Sequence, residues 1–388
     1  MKSVAVIGAS LAGLSAARAL RTQGFDGEVT IVGDEARRPY DRPPLSKEFL
    51  TGVVGEDTLA LETDDEDLDA RWLLGVRATR LDAAAGAVHL DDGSAVYAGG
   101  IVIATGARAR SWPGSDGLAG VHVLRTVDDA LALRYELRPG ARLVVIGAGF
   151  IGGEVASTAK KLGLDVTVIE AALAPLAGPL GVQLGAAVAQ LHASHGTRLL
   201  CGAPVAGLTG SERVTGVELA DGRHVPADVV LVGIGAIPNT EWLRDSPLEL
   251  ANGVVCDAGG ATAVPNVVAV GDCAAWHEPS VGWPHRVEHW TGALERPATA
   301  VATLLAGRHD GTPAKPPYFW SDQYDRRIQF AGIADPGDEI TFEVGSLRDA
   351  SFLAVYRREG QPVAVLGVDQ PKLFTRLRRQ LAFVPVPA

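Results

Sequence analysis

Two glycine-rich turns in the sequence have the residue types and spacing that bind the pyrophosphate of a dinucleotide. Residues 4–34 and 143–170 both read as an apolar strand, a glycine-rich turn, an alanine-rich helix and a second strand. The glycines of such a turn allow a tight bend, and the N–H groups at the positive end of the helix then hold the phosphates. The turn residues are Gly8, Ser10 and Gly13 in the first unit and Gly147, Gly149 and Gly152 in the second. Because the whole βαβ unit is repeated, the sequence predicts two dinucleotide sites, whereas a lone glycine motif could be a tight turn without a ligand.

An acidic residue ends the second strand of each unit. Asp34 lies 21 residues after Gly13, and Glu170 lies 18 residues after Gly152. A carboxylate at this point accepts hydrogen bonds from ribose hydroxyls and repels a 2′-phosphate. The segment AALAPLAG after Glu170 has no Arg or Lys to neutralise such a phosphate, so we expect NADH to be preferred over NADPH. Two sites imply two dinucleotides, one a bound flavin and the other a nicotinamide.

Length and charge limit what else the protein can be. The chain has 388 residues, of which 47% are apolar, and this predicts two or three domains with full cores. The net charge of −11, without a basic block, argues against nucleic acid or an anionic membrane as a partner. The opening MKSVAVIGAS leads directly into a strand, and no long apolar run follows. We therefore expect no signal peptide, no membrane-spanning helix and a cytoplasmic location.

The cysteines and histidines exclude several chemistries. Cys201, Cys256 and Cys273 form no CxxC or CxxxxC pair, which excludes a dithiol-based disulfide reductase and argues against a cysteine-held iron–sulfur cluster. Cys273 is expected to be a small buried residue. His192 and His195 are three residues apart, a spacing more often found on a surface than in a metal site, and we predict no metal.

The chain changes character towards its C-terminus. Residues 311–388 begin with a segment rich in Pro and aromatic residues, continue with alternating β patterns such as FLAVYRR, and end with KLFTRLRRQL, a basic amphipathic helix pattern. This part carries ten Lys and Arg against nine Asp and Glu, so it is far less acidic than the rest. Arg376, Arg378 and Arg379 are either a solvated helix face or part of a docking surface for an acidic partner.

Several segments together resemble a known family. They are VIGASLAGLSAARAL, PYDRPPLSKEFL, IVIATGAR, LVVIGAGFIGGEVA, VGIGAIPNTEWL, VAVGDCAAW, RVEHW and PYFWSDQYD. In this order the chain resembles the FAD-dependent NAD(P)H-ferredoxin reductases that serve bacterial oxygenases. The resemblance implies an α/β fold with two Rossmann-like, glutathione-reductase-like dinucleotide-binding domains and a small C-terminal α+β domain. It also implies a discontinuous FAD domain (1–107 and 233–310), an NAD domain (108–232) and a C-terminal domain (311–388).

The resemblance further implies a reaction and a partner. Hydride would pass from NADH to FAD, and single electrons would pass to a [2Fe–2S] ferredoxin that serves a P450 or Rieske oxygenase. Two alternatives on the same fold stay open. One is an NADH oxidase or rubredoxin reductase, and the other is an NADH-switched interaction protein of the apoptosis-inducing-factor type.

The family motifs also assign roles to individual residues. Lys47 and Glu154 are expected to form an ion pair beside the flavin, where a cation favours the negative charge of the reduced ring. Trp320 is expected to shield the flavin edge and to line the electron route. The predicted cofactor-binding residues are Gly8, Ser10, Ala12, Gly13, Asp34, Arg42, Lys47, Arg125, Asp272, Glu288, Trp290, Gly147, Gly149, Ile151, Gly152, Glu170 and Gly235. Among them, Arg125 is expected at the FAD pyrophosphate, Asp272 at the ribityl chain, Trp290 at the ring and Glu288 near the nicotinamide.

Three positions depart from the family pattern. The helix after RVEHW has Arg296 and Pro297 where relatives usually have Gln and a small residue. A proline in a helix interior removes a hydrogen bond and costs about 3 kcal/mol, so we expect a kink and altered contacts near the flavin ring. Gly178 replaces an Arg that is frequent in the NAD domain, which predicts weaker NADH binding.

Overall fold

The computed structural model describes residues 1–278, 282–308 and 315–381, and two parallel five-stranded sheets lie at its centre. In spatial order, the first sheet contains β20 (Val267–Ala269), β7 (Gly100–Ile103), β1 (Ser3–Ile7), β2 (Glu28–Gly33) and β3 (Ala70–Leu74). The second contains β12 (Arg198–Leu200), β11 (Asp165–Ile169), β10 (Arg142–Ile146), β16 (Val229–Val232) and β9 (Val121–His122). The two sheets have the same strand arrangement, since in each the strand before the glycine-rich turn is the third of five. The predicted repeat of the βαβ unit is therefore confirmed.

The helices follow from the same repeat. α1 (Leu11–Thr22) begins directly after the first turn and α4 (Phe150–Lys161) directly after the second. Both are rich in alanine and small residues, which lets them lie close to the buried strands. The remaining helices are α2 (Glu48–Thr51), α3 (Val127–Glu136), α5 (Ala177–Ser194), α6 (Trp290–Ala306) and α7 (Pro371–Arg378). Among the described residues, none of the helices combines the length and the apolar character that crossing a bilayer requires.

Small antiparallel sheets connect the larger elements. One sheet contains β4 (Ala78–Asp82), β5 (Ala87–Leu90) and β6 (Ala95–Tyr97), and its counterpart in the second half contains β13 (Val205–Gly210), β14 (Val214–Leu219) and β15 (His224–Pro226). β8 (Ala107–Ala109) pairs with β17 (Ala236–Pro238) where the chain leaves and re-enters the first half. A further sheet contains β18 (Leu250–Ala251), β19 (Gly253–Cys256), β21 (Ala274–Glu278) and β22 (Trp283–Arg286). Because β20 joins the first parallel sheet, the chain returns to the first half after the second is complete.

The C-terminal part is an antiparallel sheet with one helix. Its strands, in spatial order, are β23 (Tyr318–Gln323), β24 (Arg326–Gly332), β27 (Gln361–Val368), β26 (Phe352–Arg358) and β25 (Glu339–Val344). One face packs against α7 through Phe374, and the other shares a core with Leu180, Leu184 and Val188 of α5. The expected fold class is confirmed, and the C-terminal sheet shares part of its core with the second half of the chain.

The expected exposure of His192 is wrong. Its side chain is 1% exposed, and its Nδ1 lies 2.9 Å from the hydroxyl of Tyr324. Tyr324 is at the tip of the β23–β24 hairpin with φ +51°, and its hydroxyl donates to Thr197 Oγ1 at 2.8 Å. The hairpin tip therefore covers the end of α5, a long-range contact that the spacing of two histidines does not reveal.

Burial of His192 makes the fold sensitive to acid. Burial lowers the pKa of His192 to about 4, so the unfolded chain takes up this proton first as the pH falls below about 6.5. Stability attributable to this histidine is thus complete above pH 6.5 and is lost as the pH falls towards 4, by about 3 kcal/mol at 1.36 kcal/mol per pKa unit. We expect thermal unfolding of His192→Gln to depend less on pH between 6.5 and 4.5 than that of the wild type. The same change at exposed His277 should leave the slope intact, and equal slopes for His192→Gln and the wild type would contradict the prediction.

Arg296 and Pro297 lie within α6, and the side chain of Arg296 is directed towards Trp276 and Glu278. α6 runs from Trp290 to Ala306 through Pro297, which is buried. The guanidinium of Arg296 lies 5.0 Å from the ring centre of Trp276 and 3.3 Å from the carboxylate of Glu278. Neither residue is among those that line the cleft described below, and their effect on contacts with a flavin ring stays a prediction.

Candidate functional site

A cleft that is open to solvent lies where both halves and the C-terminal sheet meet, and it contains about 1230 Å³ of empty space when the solvent at its mouth is included. Eleven of the residues assigned above line it: Ser10, Ala12, Arg42, Lys47, Arg125, Ile151, Glu154, Asp272, Glu288, Trp290 and Trp320. Tertiary structure thus brings together side chains that are up to 310 residues apart in the sequence.

Lys47 and Glu154 form the predicted ion pair on one wall of this cleft. Lys47 follows the short 3₁₀ turn Pro43–Ser46, and its Nζ donates to Glu154 Oε2 at 2.7 Å. Glu154 lies in the second turn of α4 and is 6% exposed. A buried carboxylate needs a partner of opposite charge, and here that partner is held at the cleft surface. The pairing is present, and its action on a flavin stays a prediction.

Two arginines and two carboxylates lie near the first glycine-rich turn. Arg42 Nη2 donates to Glu35 Oε1 at 2.5 Å, and its Nε lies 3.3 Å from Ser10 Oγ. Arg125 Nη2 donates to Asp272 Oδ2 at 2.5 Å. The guanidinium groups at this turn suit a pyrophosphate, since their planar fork matches two phosphate oxygens.

Aromatic side chains also line the cleft. The rings of Trp290 and Trp320 meet edge to face with centres 5.8 Å apart, and Tyr318 stacks on Trp320 at 6.0 Å. Trp290 Nε1 donates to Asp41 Oδ1 at 2.7 Å, and burial raises the pKa of Asp41. Trp320 and Glu288 both line the cleft, and Glu288 accepts a hydrogen bond from Arg286.

The two turns show directly which glycines the fold requires. A Cβ on Gly13 would lie 1.8 Å from Gly8 O, and a Cβ on Gly152 would lie 2.1 Å from Gly147 O. A Cβ on Gly149 would meet no atom within 4 Å. The fold itself does not need a glycine there, so the free space fits a ligand that approaches the backbone. The side chain of the N-cap Ser10 accepts no helix N–H, and the N-cap Gly149 has no side chain that could do so. The first backbone N–H groups of α1 and α4 are therefore left for phosphates.

The acidic residue of the second unit is held by two backbone N–H groups. Glu170 follows β11, and its two carboxylate oxygens accept from Ala148 N and Ala172 N, each at 2.8 Å. Asp34 follows β2 in the corresponding place and is exposed. Gly235 has φ +99°, and a Cβ on it would meet no atom within 4 Å. The Cβ position of Gly178, near the start of α5, is also open, so an arginine side chain would find room there.

The carboxylate of Glu170 should set the choice of nicotinamide. We expect kcat/KM for NADH to exceed that for NADPH by about 100-fold, because Glu170 repels a 2′-phosphate. Leu173, three residues on, is 75% exposed and offers a place for a cation. The double substitution Glu170→Gln and Leu173→Arg should lower the preference at least about tenfold, since it removes the repulsion and adds a counter-charge. Steady-state kinetics with both cofactors measures this, with Leu173→Gln as the control, and an unchanged preference would contradict it.

Some residues at the cleft were not found from the sequence. His289 Nδ1 is buried without a hydrogen-bond partner among the described residues, and burial lowers the pKa of this ring to about 4. It lines the cleft as a neutral group that a bound cofactor would satisfy, and the residues of the cleft and the first turn therefore fit FAD.

Ser46 and Ser321 both donate to Glu154. The motifs RPPLSK and FWSDQYD contain these serines, but only the fold shows that both reach the same carboxylate.

Two family profiles match the chain and together cover most of it. The profile described as Pyridine nucleotide-disulphide oxidoreductase matches residues 2–296, and the profile described as Reductase C-terminal matches residues 318–383. The boundary between the matches coincides with the change from the parallel halves to the antiparallel sheet.

Curated proteins and solved structures are similar over nearly the full length. The chlorobenzene dioxygenase ferredoxin reductase component of Cupriavidus sp. (strain PS12) is 41% identical over 97% of this chain and 91% of that protein. The benzene 1,2-dioxygenase system ferredoxin–NAD(+) reductase subunit of Pseudomonas putida is 39% identical over the same shares. The crystal structure of the covalent putidaredoxin reductase–putidaredoxin complex superposes with a TM-score of 0.92 and 34% identity, covering 97% of this chain and 92% of that chain.

Proposed function

The chain belongs to the pyridine nucleotide-disulphide oxidoreductase family, among the ferredoxin reductases of oxygenase systems, and on that premise we propose that it transfers electrons from NADH through FAD to a [2Fe–2S] ferredoxin. The observation that carries this proposal is the Lys47–Glu154 pair in the cleft, in a chain without a cysteine pair. Relatives that reduce disulfides need a dithiol beside the flavin. This chain has no CxxC or CxxxxC pair, and the cation Lys47 lines its cleft, which supports electron transfer to a separate protein rather than to a dithiol of the chain itself.

The residues of the site have distinct tasks in this reaction. FAD, when bound, supplies the ability to take two electrons at once and to release them singly. The first turn, with Arg125 and Arg42, would hold its pyrophosphate, and the second turn, with Glu170, would hold NADH. Lys47 keeps a positive charge at the cleft wall, and Glu154 keeps that charge in place. Trp290 would form a wall of the ring pocket, and Trp320 would shield the flavin edge and line the electron route.

The arrangement of the sheets supports the proposed domains. We propose an FAD domain of residues 1–107 and 233–310, an NAD domain of residues 108–232 and a C-terminal domain of residues 311–388. The return of β20 to the first sheet and the pairing of β8 with β17 support the discontinuous boundary. We place the protein in the cytoplasm, because its cysteines are few and do not form disulfides among the described residues.

Ferredoxin-dependent electron transfer is the direct test. FAD-loaded protein should reduce cytochrome c with NADH slowly alone and much faster when a [2Fe–2S] ferredoxin is added. Reduction of the flavin by NADH without any rise from several ferredoxins would overturn the proposed function. Fast oxygen consumption in that case would identify an oxidase, and a long-lived reduced flavin–NAD⁺ complex would identify a redox-switched interaction protein.

The basic face of α7 is a candidate contact for the ferredoxin. Arg376 and Arg379 are exposed there, and Arg378 lies 4.1 Å from the ring centre of Tyr318, which stacks on Trp320. We expect Arg376→Glu with Arg379→Glu to raise KM for an acidic ferredoxin about tenfold at low salt, an effect that 0.5 M salt should largely remove by screening. Reduction of ferricyanide, a small acceptor, should be unchanged. An unaltered KM for ferredoxin would show that this face does not take part.

A further inference from the structure

The carboxylate of Glu154 is bound by more donors than an ion pair requires. Its Oε2 accepts from Lys47 Nζ at 2.7 Å and from the hydroxyl of Ser46. Its Oε1 accepts from Ser321 Oγ at 2.9 Å and from the backbone N of Asp322 at 3.3 Å. The two oxygens are thus held by different parts of the protein, the first by the segment before α2 and the second by strand β23.

The hydroxyl of Ser321 has a defined direction. Gln323 Nε2 donates to Ser321 Oγ at 3.0 Å, so the serine oxygen accepts there and its hydrogen is directed to Glu154. Ser321 is 0% exposed and Gln323 is 1% exposed. The amide of Gln323 packs on Gly153 of α4, where a Cβ would lie 2.5 Å from the amide oxygen. A glycine beside Glu154 therefore provides the room for this chain of hydrogen bonds.

The direction of the carboxylate determines where Lys47 lies. A carboxylate held by only one oxygen can rotate about its bond to the side chain, and the ammonium group bonded to it then moves as well. Two donors on Oε1 fix the plane of the group, so Oε2 faces the cleft and keeps Lys47 Nζ there. Trp320, which lines the cleft, directly precedes Ser321 in β23.

We propose that Ser321 is a positioning residue, which acts through Glu154 on Lys47, and that Gln323 orients its hydroxyl. The C-terminal sheet then completes the charge arrangement beside the flavin, in addition to supplying Trp320. This inference deepens the proposed function and rests on its placement of FAD in the cleft. It concerns only the reduction of the flavin by NADH, so it can be tested without a ferredoxin.

The chain offers a matched control for a loosened hairpin. Ser157, one turn after Glu154 in α4, accepts a hydrogen bond from the backbone N of Tyr324 at 2.7 Å. Both serines thus connect the β23–β24 hairpin to the same helix, and both are buried. Only Ser321 contacts Glu154, so Ser157→Ala removes a comparable anchor and leaves the Lys47–Glu154 pair unaltered.

The experiment measures two properties of the FAD-loaded protein under anaerobic conditions: the rate of flavin reduction by NADH and the flavin midpoint potential. We expect Ser321→Ala to slow reduction about tenfold, in line with the cost of a misplaced group. The potential should shift to more negative values, because a cation displaced from the ring stabilises the reduced form less. Ser321→Thr, which keeps a hydroxyl, should leave the rate and the potential close to those of the wild type, and Ser157→Ala should change neither.

A double substitution tests the route of the effect. In a Glu154→Gln background, Ser321→Ala should cause little further loss if it acts through Glu154. Should Ser321→Ala fail to fold, Gln323→Met decides, since it removes the orienting donor at nearly constant volume and should shift both properties in the same direction. Equal effects of Ser321→Ala and Ser157→Ala, or additivity with Glu154→Gln, would overturn the inference. A failure of ferredoxin reduction alone would overturn only the proposed function.

Discussion

We expect Lys47→Met to lower the rate of flavin reduction by NADH by about 100-fold, the loss typical of one removed electrostatic stabiliser. Negative charge develops on the flavin as it is reduced, and Lys47 is the cation that Glu154 holds at 2.7 Å on the cleft wall. The ammonium group stabilises the product of hydride transfer more than the reactant, so its loss affects the rate more than the binding. FAD affinity should therefore change by less than about fivefold.

The measurement is anaerobic stopped-flow reduction, with FAD affinity determined separately by titration of the apoprotein. Lys161→Met is the matched control, because Lys161 lies on α4, the helix of Glu154, and its ammonium group binds the carboxylate of Asp325 at 2.6 Å on the surface. That variant should behave as the wild type, since an exposed ion pair contributes little. A normal rate for Lys47→Met, or a loss of FAD binding equal to the loss of rate, would contradict the assigned role.

We expect two neighbouring glycines of the second turn to respond in opposite ways to substitution by alanine. Gly152→Ala places a Cβ 2.1 Å from Gly147 O, a backbone atom that cannot move aside without opening the turn. The second half should then lose about 3 kcal/mol of stability or more, as overpacked sites do. Gly149→Ala meets no protein atom and should fold normally, with its methyl group in the space for the NADH pyrophosphate.

Thermal unfolding and NADH titration together separate the two cases. Gly152→Ala should lower the unfolding temperature or prevent folding, whereas Gly149→Ala should keep the unfolding temperature and FAD binding. Gly149→Ala should raise KM for NADH at least about tenfold, the equivalent of 1.4 kcal/mol. A Gly149→Ala protein with unaltered KM would mean that the nicotinamide cofactor does not approach this turn.

Most of the architecture could be predicted from the sequence because its signals are local. The glycine spacing, the apolar strands and the terminal acids all lie within βαβ units of about 30 residues, where neighbouring residues determine the geometry. Gly13 and Gly152 are required because a Cβ there would meet the carbonyls of Gly8 and Gly147, five residues earlier in the same units. The same holds for the β strands and the final helix of the C-terminal part.

Only the tertiary structure shows which side chains pack against those βαβ units, because these contacts join residues far apart in the chain. The four donors on Glu154 come from positions 46, 47, 321 and 322, and no spacing rule relates them to residue 154. The burial of His192 depends on a hairpin tip 132 residues later. Arg296 is expected near the flavin ring, but its guanidinium donates to Glu278 at 3.3 Å. Local sequence thus determined the two nucleotide-binding units, and only packing between distant segments determined which side chains act together.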